Sequence, residues 1–387
     1  MSLSVSKSFV PALLLGVSLA GAGHAEGVNS PTCKLRFRST SVTTGTNPQT
    51  VVIADFNKDG KPDFAQVNYS GGGAGTLGVF LGNGDGTFTS KGTFATGSGP
   101  DGIATADVNG DGKLDLVVPN DTGSSVSVLF GNGDGTFQTH TDYGAGSYPH
   151  SVALGDFNGD HAPDIAVANE GNDTVGVLLN KGDGTFGAMK TYATQSEPYW
   201  VTAADFRHDG KTDLAVTGYL NSYVSILLGK GDGTFASHVD YPTGTAPAVV
   251  LAHDFNGDRK LDLATANYNN GQTGSVSILL GNGDGTFGAH TEYTAGTGPD
   301  GLAVGSFNGD KHADLAVANL IGNTMSILPG KGDGTFGAAR DFPTQNFPLG
   351  IGAAVFKGRN KHKEDVVVTN DLSAAADVFL NKSKGCE

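Results

Sequence analysis

The chain has few of the residues on which several functional classes depend. It has 387 residues, of which 16% are charged, 24 are Lys or Arg, 39 are Asp or Glu, two are Cys and one is Trp. A formal net charge of −15 is the opposite of what a nucleic-acid-binding protein uses to neutralise phosphates. Two cysteines are too few for a disulfide-rich fold or a thiolate zinc cluster. The surplus of carboxylates favours cations as partners.

Glycine, in contrast, is abundant, with 60 residues. A glycine inside a helix costs about 1 kcal/mol relative to alanine, so this composition argues against a helical protein. The glycines follow no Gly-X-Y period, which excludes a collagen helix. Phe, Tyr, Val, Ile and Leu are frequent enough to form a hydrophobic core, so we do not expect disorder.

The N-terminus has the pattern of a secretory signal peptide. Lys7 precedes an apolar stretch over 9–22, and Ala25 stands where a signal peptidase cuts after a small residue. We predict a signal peptide over 1–25, a short segment over 26–33 and one domain over 34–387. The protein is expected to be secreted (extracellular, cell-surface or periplasmic), with no transmembrane segment in the mature chain. An uncleaved membrane anchor is the alternative.

A repeat of about 49 residues accounts for the rest of the chain. An Asp-rich segment begins at positions 55, 107, 156, 205, 254, 306 and 355, so its copies lie 49 or 52 residues apart. A second segment, Gly-Asn/Lys-Gly-Asp-Gly-Thr-Phe, ends at Phe88, Phe137, Phe186, Phe235, Phe287 and Phe336. Copies at this period leave no room for a second domain.

Each period contains four short runs typical of β-strands. In the third copy they cover 151–157, 164–169, 174–179 and 186–192, are rich in β-branched or aromatic residues and are bounded by Gly, Asn, Asp or Pro. Seven such periods predict an all-β fold, a seven-bladed β-propeller of four-stranded antiparallel blades. A β-solenoid is the alternative.

The two ends of the chain complement each other. The last copy stops after its third strand, at 377–381, and the chain begins with an unpaired fourth strand over 35–42. We expect this N-terminal strand to complete the seventh blade, which an open solenoid would not require. Ring closure would bring Cys33 and Cys386 together, and export permits a disulfide, so we predict a Cys33–Cys386 bond; two free thiols are the alternative.

The Asp-rich segment has the spacing of a calcium-binding loop. The pattern Asp-x-Asn-x-Asp-Gly-x-x-Asp places oxygen ligands at positions 1, 3, 5 and 9, and calcium binds six to eight oxygens. An EF-hand is rejected because the Glu at position 12 and the flanking helices are missing; a solvated Asx-rich turn is the alternative. Four intact copies predict four calcium sites: Asp55, Asn57, Asp59 and Asp63; Asp107, Asn109, Asp111 and Asp115; Asp156, Asn158, Asp160 and Asp164; and Asp254, Asn256, Asp258 and Asp262.

The other three copies depart from that pattern. The fourth has Arg207 at position 3, where its cation can replace a metal by pairing with the acids, and the sixth opens with Ser306. The seventh, over 355–365, is basic and is not expected to bind calcium. The fourth and sixth loops are weaker candidates, which raises the possible number of sites to six: Asp205, Asp209 and Asp213, and Asn308, Asp310 and Asp314.

These two repeated segments resemble FG-GAP/VCBS-type repeats. Integrin α-subunit head domains and some fungal lectins have similar seven-bladed propellers. The resemblance covers 34–387 and implies structural calcium in the four loops that match positions 1, 3, 5 and 9. It does not fix the function, because members include adhesion receptors, lectins and accessory domains of secreted enzymes.

Strand alternation sorts the loops onto two faces. The Asp-rich loops and the Gly-rich turns repeat almost unchanged on one face, whereas the opposite face carries variable acids, amides and aromatic rings that suit carbohydrate or protein recognition. Ordinary loop variation, with Trp200 packed between blades, is the alternative. The predicted ligand-binding residues are Asp101, His150, Glu170, Tyr199, Trp200, Tyr219 and Tyr268.

We therefore favour a monomeric binding or adhesion module for carbohydrate, glycoprotein or another protein. No Gly-x-Ser-x-Gly, His-Glu-x-x-His or P-loop motif occurs in the chain, so no catalytic residue is predicted. Two alternatives stay open. One is a polysaccharide lyase or hydrolase that uses Asp101, His150, Glu170 and Tyr199 at the channel mouth, and the other is a structural scaffold for protein assembly.

Overall fold

The computed structural model describes residues 34–71, 73–358 and 363–383. Within these ranges, 28 strands form seven four-stranded antiparallel sheets, and the innermost strands contact one another around a central channel. This confirms the seven-bladed propeller and excludes the solenoid. The predicted signal peptide, the segment 26–33, Cys33 and Cys386 lie outside the described residues. In the part of the chain that is described, no helix is long and apolar enough to cross a membrane.

Six blades are formed by consecutive strands that run in order from the channel to the rim. Blade 1 contains β2 (Pro48–Ala54), β3 (Asp63–Asn68), β4 (Ala74–Gly82) and β5 (Phe88–Ser98). Blade 2 contains β6 (Ala104–Ala106), β7 (Asp115–Asn120), β8 (Ser125–Leu129) and β9 (Thr141–Gly144). Blade 3 contains β10 (Pro149–Gly155), β11 (Asp164–Asn169), β12 (Thr174–Leu178) and β13 (Lys190–Ala193). Blade 4 contains β14 (Pro198–Ala204), β15 (Asp213–Gly218), β16 (Tyr223–Leu227) and β17 (Val239–Pro242).

The remaining blades follow the same order until the ring closes. Blade 5 contains β18 (Pro247–His253), β19 (Asp262–Asn267), β20 (Thr273–Leu279) and β21 (Thr291–Thr297). Blade 6 contains β22 (Pro299–Gly305), β23 (Asp314–Asn319), β24 (Thr324–Leu328) and β25 (Arg340–Pro343). Blade 7 contains β26 (Pro348–Ala354), β27 (Asp365–Asn370), β28 (Ala375–Asn381) and β1 (Phe37–Thr43). Short 3-10 turns cover Glu170–Asn172, Asn269–Gly271 and Asp371–Ser373.

The N-terminal strand closes the ring, as the sequence predicts. Strand β1 pairs with β28 in an antiparallel register that runs from Phe37 opposite Asn381 to Thr43 opposite Ala375. The Phe37 ring lies 5.0 Å from Phe342 of blade 6 and 6.2 Å from Phe379 of blade 7, both edge to face. Backbone pairing and ring packing therefore hold the outer strand of the last blade.

The hydrophobic core lies between neighbouring blades, because each second strand is buried along its whole length. The phenylalanines of the two repeated segments meet across these interfaces. Phe56 of blade 1 lies 5.7 Å from Phe137 of blade 2, and Phe157 of blade 3 lies 5.4 Å from Phe235 of blade 4, each pair edge to face. The segments that define the repeat in the sequence are thus the parts that join one blade to the next.

The fourth strand of the third blade begins later than predicted. The sequence run over 186–192 was expected to form one strand, but β13 covers only Lys190–Ala193. Phe186 instead forms an isolated bridge with Asn180, and the amide of Gly187 donates to the carbonyl of Leu179 over 2.8 Å. The run therefore combines the end of a turn with a short edge strand.

Replacing Phe37 with alanine tests the closure. We expect Phe37→Ala to lower the free energy of unfolding by about 3 kcal/mol, because it removes a large ring from the junction of blades 6 and 7. Urea denaturation followed by circular dichroism measures the change. Ser39→Ala, an exposed position on the same strand, is the matched control and should have little effect. Equal stability of Phe37→Ala and the wild type would show that the N-terminal strand does not hold the ring.

Candidate functional site

The loops of the propeller lie on two faces with different characters. On the acidic face, which carries the Asp-rich loops, the Gly-rich turn of one blade contacts the loop of the preceding blade. The amide of Gly135 donates to the carbonyl of Phe56 over 3.2 Å, and Gly233 donates to Phe157 over 2.8 Å. The crossover face carries the blade-to-blade crossovers and the loops between second and third strands. This sorting confirms the arrangement expected from strand alternation.

The Asp-rich loops fold around their own side-chain oxygens. In the first loop, Asp55 accepts the amides of Asp59 over 3.1 Å and Gly60 over 2.7 Å, and Asn57 accepts the amide of Asp59 over 3.0 Å. Position 6 adopts the left-handed conformation that favours glycine, with φ of 78° at Gly60 and 68° at His161. Among the described residues, no group of three or more His, Cys, Asp or Glu side chains has the arrangement of a metal-binding site.

The acid at position 9 has a second, structural role. Asp63 is fully buried, and its two oxygens accept the amides of Phe56 over 2.9 Å and Gly82 over 2.8 Å. Burial raises the pKa of this carboxyl, and the two amide hydrogen bonds oppose the rise. In every blade the equivalent aspartate accepts one backbone amide from the Asp-rich loop and one from the end of the third strand or the turn that follows it. These aspartates are Asp63, Asp115, Asp164, Asp213, Asp262, Asp314 and Asp365.

In the fourth loop a cation lies among the acids. The Arg207 guanidinium is 2.7 Å from Asp213 and 3.1 Å from Asp209, and it also donates to the carbonyl of Gly229 over 2.6 Å. This confirms that the arginine pairs with the acids of its own loop. Arg207 therefore shows directly that positive charge fits between the carboxylates of an Asp-rich loop.

Two backbone features gather side chains at the channel mouth on the crossover face. A register shift after Pro149 and another after Pro198 leave His150 and Tyr199 outside the strand pairing. The residue after each second strand is tied to the crossover by a backbone bond, such as Glu170 N–H to Tyr148 O over 3.0 Å. In every blade, the residue after the crossover proline and the residue after the second strand therefore lie near each other around the channel.

His150 is the centre of the site. Its Nδ1 lies 2.6 Å from Asp101, its Nε2 is hydrogen-bonded to Glu170, and its side chain is only 11% exposed. Burial alone would lower the pKa of His150, but the hydrogen bonds and negative charges of Asp101 and Glu170 raise it to about 10. The imidazolium is therefore charged at neutral pH, and each of its N–H groups donates to a carboxylate.

Three tyrosines extend from His150 across the next two blades. The Tyr199 ring lies 4.5 Å from the imidazole at an angle of 33°, and Tyr219 lies 5.5 Å from Tyr199 at 37°. Tyr268 follows at 6.2 Å and 34°. The structure thus brings together six of the seven predicted ligand-binding residues. We call the four rings the aromatic ladder.

Trp200 does not belong to the ladder. Its indole is partly buried and packs against the hydrophobic clusters of blades 4, 5 and 6. It also lines a cavity of about 80 Å³ on the channel axis, together with Asp101, His150, Tyr199 and Asp300. Trp200 therefore packs between blades and also forms part of the channel wall.

Two residues absent from the sequence prediction adjoin the His150 group. Tyr69 donates its hydroxyl to Asp121 over 3.4 Å, and the other oxygen of Asp121 is buried with no hydrogen-bond partner. Burial raises the pKa of Asp121, the charge of His150 lowers it, and Asp101 and Glu170 raise it further. Tyr69 and Asp121 stand at the same offset after a second strand as Glu170 and Tyr219, so the repeat register contained the signal.

Apart from His150, the charged side chains of the crossover face are all negative. Its loops cover 44–50, 68–76, 96–103, 120–125, 145–151, 169–174, 194–200, 218–223, 243–249, 267–275, 295–301, 319–324, 344–350 and 370–375, and they contain no Lys or Arg. They do contain seven acids: Asp101, Asp121, Glu170, Asp173, Glu197, Asp300 and Asp371. This distribution disfavours anionic ligands and favours neutral or cationic ones.

A Ser–His–Asp grouping in blade 2 resembles a hydrolase triad but is built for packing. The Ser127 hydroxyl is fully buried and donates to Asp142 over 2.6 Å, while His140 Nδ1 lies 2.8 Å from the same carboxylate. Ser127 also accepts the amide of Gly97 from blade 1 over 3.0 Å. The Ser127 hydroxyl is already engaged by Asp142 and by Gly97 of the neighbouring blade, so this group links two blades.

The fold and the repeated loops define a class of protein, the seven-bladed β-propeller built from Asp-rich repeats. The sequence profile described as "FG-GAP-like repeat" matches residues 67–118, 107–167, 156–216, 208–265 and 254–317. These matches span more than half of the chain, so the chain belongs to the family of FG-GAP-like repeat proteins. No curated protein matches its sequence significantly.

Solved structures share the fold at low sequence identity. BBS1N, solved in complex with ARL6DN, is 11% identical with a TM-score of 0.60, and the match covers 89% of this chain and 96% of that one. A functionally unknown protein from Desulfotomaculum acetoxidans is 12% identical with a TM-score of 0.56, covering 79% and 92%. The periplasmic gluconolactonase PpgL of Pseudomonas aeruginosa is 17% identical with a TM-score of 0.60, covering 78% and 87%. At these identities the likeness shows the fold alone.

The ionisation of His150 gives a direct test of the site geometry. We expect its ring to stay protonated from pH 6.5 to 9 and to titrate near pH 10, as followed by NMR of ¹⁵N-histidine-labelled protein. Because the folded pKa lies above the unfolded value of about 6.5, this contribution to stability is complete below pH 6.5 and is lost as the pH rises through 10. Glu170→Gln should lower the pKa of His150, because it removes one of the two negative charges beside the ring. Titration of His150 near pH 6.5 in the wild type would contradict the paired geometry.

Proposed function

We propose that the protein is an exported binding module that recognises a carbohydrate or glycoprotein through the crossover face. The observation that carries this proposal is the convergence of His150, its two acids and three tyrosines at the channel mouth. The loops of the acidic face vary less, because only the fourth, sixth and seventh Asp-rich copies depart from the repeated pattern. Non-repeating side chains held on a repeating scaffold are the usual basis of specific recognition.

The geometry of His150 favours binding over catalysis. Both ring nitrogens donate to carboxylates, so the imidazole has no free lone pair with which to take a proton from a substrate. Its two hydrogen bonds instead fix the ring on which Tyr199 packs. The ladder therefore begins from a rigid base and needs little ordering when a ligand binds.

The charge pattern narrows the ligand. Seven acids and no Lys or Arg in the crossover loops would repel a sulfated or uronic-acid polysaccharide. A neutral or amine-bearing glycan fits the tyrosine hydroxyls and the carboxylates better. Partner proteins with basic surfaces fit the same charge pattern, and the glycan screen described below separates the two classes.

Mutation of the ladder tests the proposed site. Against a ligand found by glycan-array screening, Tyr199→Ala should weaken binding by about 2 kcal/mol, roughly thirtyfold, with little loss of stability. Trp200→Ala should instead cost about 3 kcal/mol of folding stability, because its indole packs against three blades. Titration calorimetry and urea denaturation of both variants measure the two effects. Tyr223→Ala, an exposed tyrosine outside the ladder, is the control, and full affinity of Tyr199→Ala would place the ligand elsewhere.

We further propose that the Asp-rich loops bind calcium and that calcium stabilises the fold. The position of Arg207 supports this, because a cation already lies among the equivalent acids in the fourth loop. In the four intact loops, Asp and Asn oxygens at positions 1, 3 and 5 would supply the hard ligands that calcium prefers. The bound ion would neutralise carboxylates that otherwise repel one another.

Calcium removal should lower the thermal stability. Calcium at 100 times its dissociation constant adds about 2.7 kcal/mol per site, so a chelator should reduce the Tm substantially in scanning calorimetry. Asp107→Ala should reduce this calcium-dependent gain more than Asp310→Ala, because the sixth loop already lacks its first acid. An identical Tm with calcium and with excess chelator, after verified metal removal, would refute the proposal.

A further inference from the structure

We propose that blade 5 has a second binding site, separate from the aromatic ladder, for a hydroxyl-rich ligand such as a saccharide unit. A polar groove of about 460 Å³ lies where the crossover from blade 4 passes the third and fourth strands of blade 5. Its walls include His290, Glu292, Ser275, Thr243 and Thr294. The Nδ1 atom of His290 is buried there and has no hydrogen-bond partner.

The same position in other blades shows how this histidine is normally satisfied. His238 of blade 4 is equivalent to His290, and its Nδ1 lies 2.8 Å from Asp240, two residues further along the strand. His140 and Asp142 of blade 2 repeat that contact at the same distance. The bond between histidine and aspartate thus occurs in two of the three blades that carry this histidine, and blade 5 lacks it.

One additional methylene group accounts for the loss. Blade 5 has Glu292 where the other two blades have aspartate. The longer side chain reaches Ser275 over 2.6 Å, while its other oxygen lies 3.8 Å from His290 Nε2. The carboxylate thus moves past Nδ1 and leaves that atom without a partner.

Compared with blade 4, two differences open the groove. In blade 4 the crossover residue Gln195 fills the corresponding space and donates to Asp240 over 2.5 Å. The equivalent residue before blade 5 is Gly244, which has no side chain to place there. The repeat is also three residues longer in blade 5, and β20 and β21 have seven residues each where β16 and β17 of blade 4 have five and four.

The donor and acceptor pattern identifies the ligand chemistry. Glu292 beside Nε2 favours the tautomer with the proton on Nε2, which leaves Nδ1 as a hydrogen-bond acceptor. That atom can then accept a hydrogen bond from an O–H or N–H group of a ligand. Around it stand threonine and serine hydroxyls, which can both donate and accept. A ligand with several neighbouring hydroxyl groups satisfies this set, whereas an aromatic or aliphatic ligand does not.

Saccharide titration of labelled protein tests the site. The probes are methyl glucoside, methyl mannoside, N-acetylglucosamine and cellobiose, added to ¹⁵N-histidine-labelled full-length protein, and the signal is the imidazole ¹⁵N shift of His290. At least one probe should give a saturable shift in the millimolar range. Glu292→Asp, which restores the contact seen in blades 2 and 4, should weaken that binding at least tenfold. His290→Ala lacks the reporting ring, so its saccharide affinity is measured by titration calorimetry beside the wild type, and it should fall by the same factor.

Control variants separate this site from the crossover face. His238→Ala, the equivalent change in blade 4, and Tyr219→Ala in the aromatic ladder should leave the His290 shift intact. A ligand of the ladder lost in Tyr219→Ala but kept in Glu292→Asp would support two independent sites. Absence of a saturable shift with all four probes would overturn the proposal and mark the groove as a hydrated surface. Equal binding by Glu292→Asp, His290→Ala and the wild type would overturn it as well.

Discussion

The carboxylate buried at the start of each second strand is the interaction on which the rest of the structure depends. Asp164, for example, has no solvent contact and accepts the amides of Phe157 and Asn180 over 2.9 and 2.8 Å. A buried carboxylate is tolerated only when it is hydrogen-bonded, and these amides would be orphaned without it. This single side chain therefore sets both the loop and the following turn. Because Phe157 belongs to that loop, the same bond also positions the ring that packs against blade 4.

Because this support comes from one side chain, the other positions of the Asp-rich loops can differ while every blade keeps four antiparallel strands. Positions 1, 3 and 5 can change, as Arg207 and Ser306 show. The buried acid at position 9 is an aspartate in the first six blades, and Asp365, its counterpart in the longer seventh loop, keeps both amide contacts although that loop is basic. The backbone support is therefore present in all seven copies, whereas the Asp and Asn pattern at positions 1, 3 and 5 is not.

The sequence allowed the architecture to be predicted because a repeat period is a property of the chain itself. Blade number, face assignment and closure by the strand near Phe37 all follow from spacing. The contacts of His150 do not, because its two carboxylates come from different blades and meet it through a shift in strand register. The groove at His290 depends on one methylene of Glu292, a difference that spacing cannot reveal. Strand β13 starts later than predicted because the first residues of the run over 186–192 belong to a turn, although their types are also common in strands.

Closure by β1 has a consequence for how the molecule assembles. Arg36 and Ser383 are hydrogen-bonded although 347 positions separate them, so the last blade can form only when both ends of the chain are present. During synthesis the first six blades form an incomplete ring before blade 7 can close it. The blade at each end of this incomplete ring leaves one of its faces exposed. Such long-range pairing is slow and leaves apolar surface accessible in the interval. The four-residue outer strands β9, β13, β17 and β25 offer little edge for pairing between neighbouring unfinished rings.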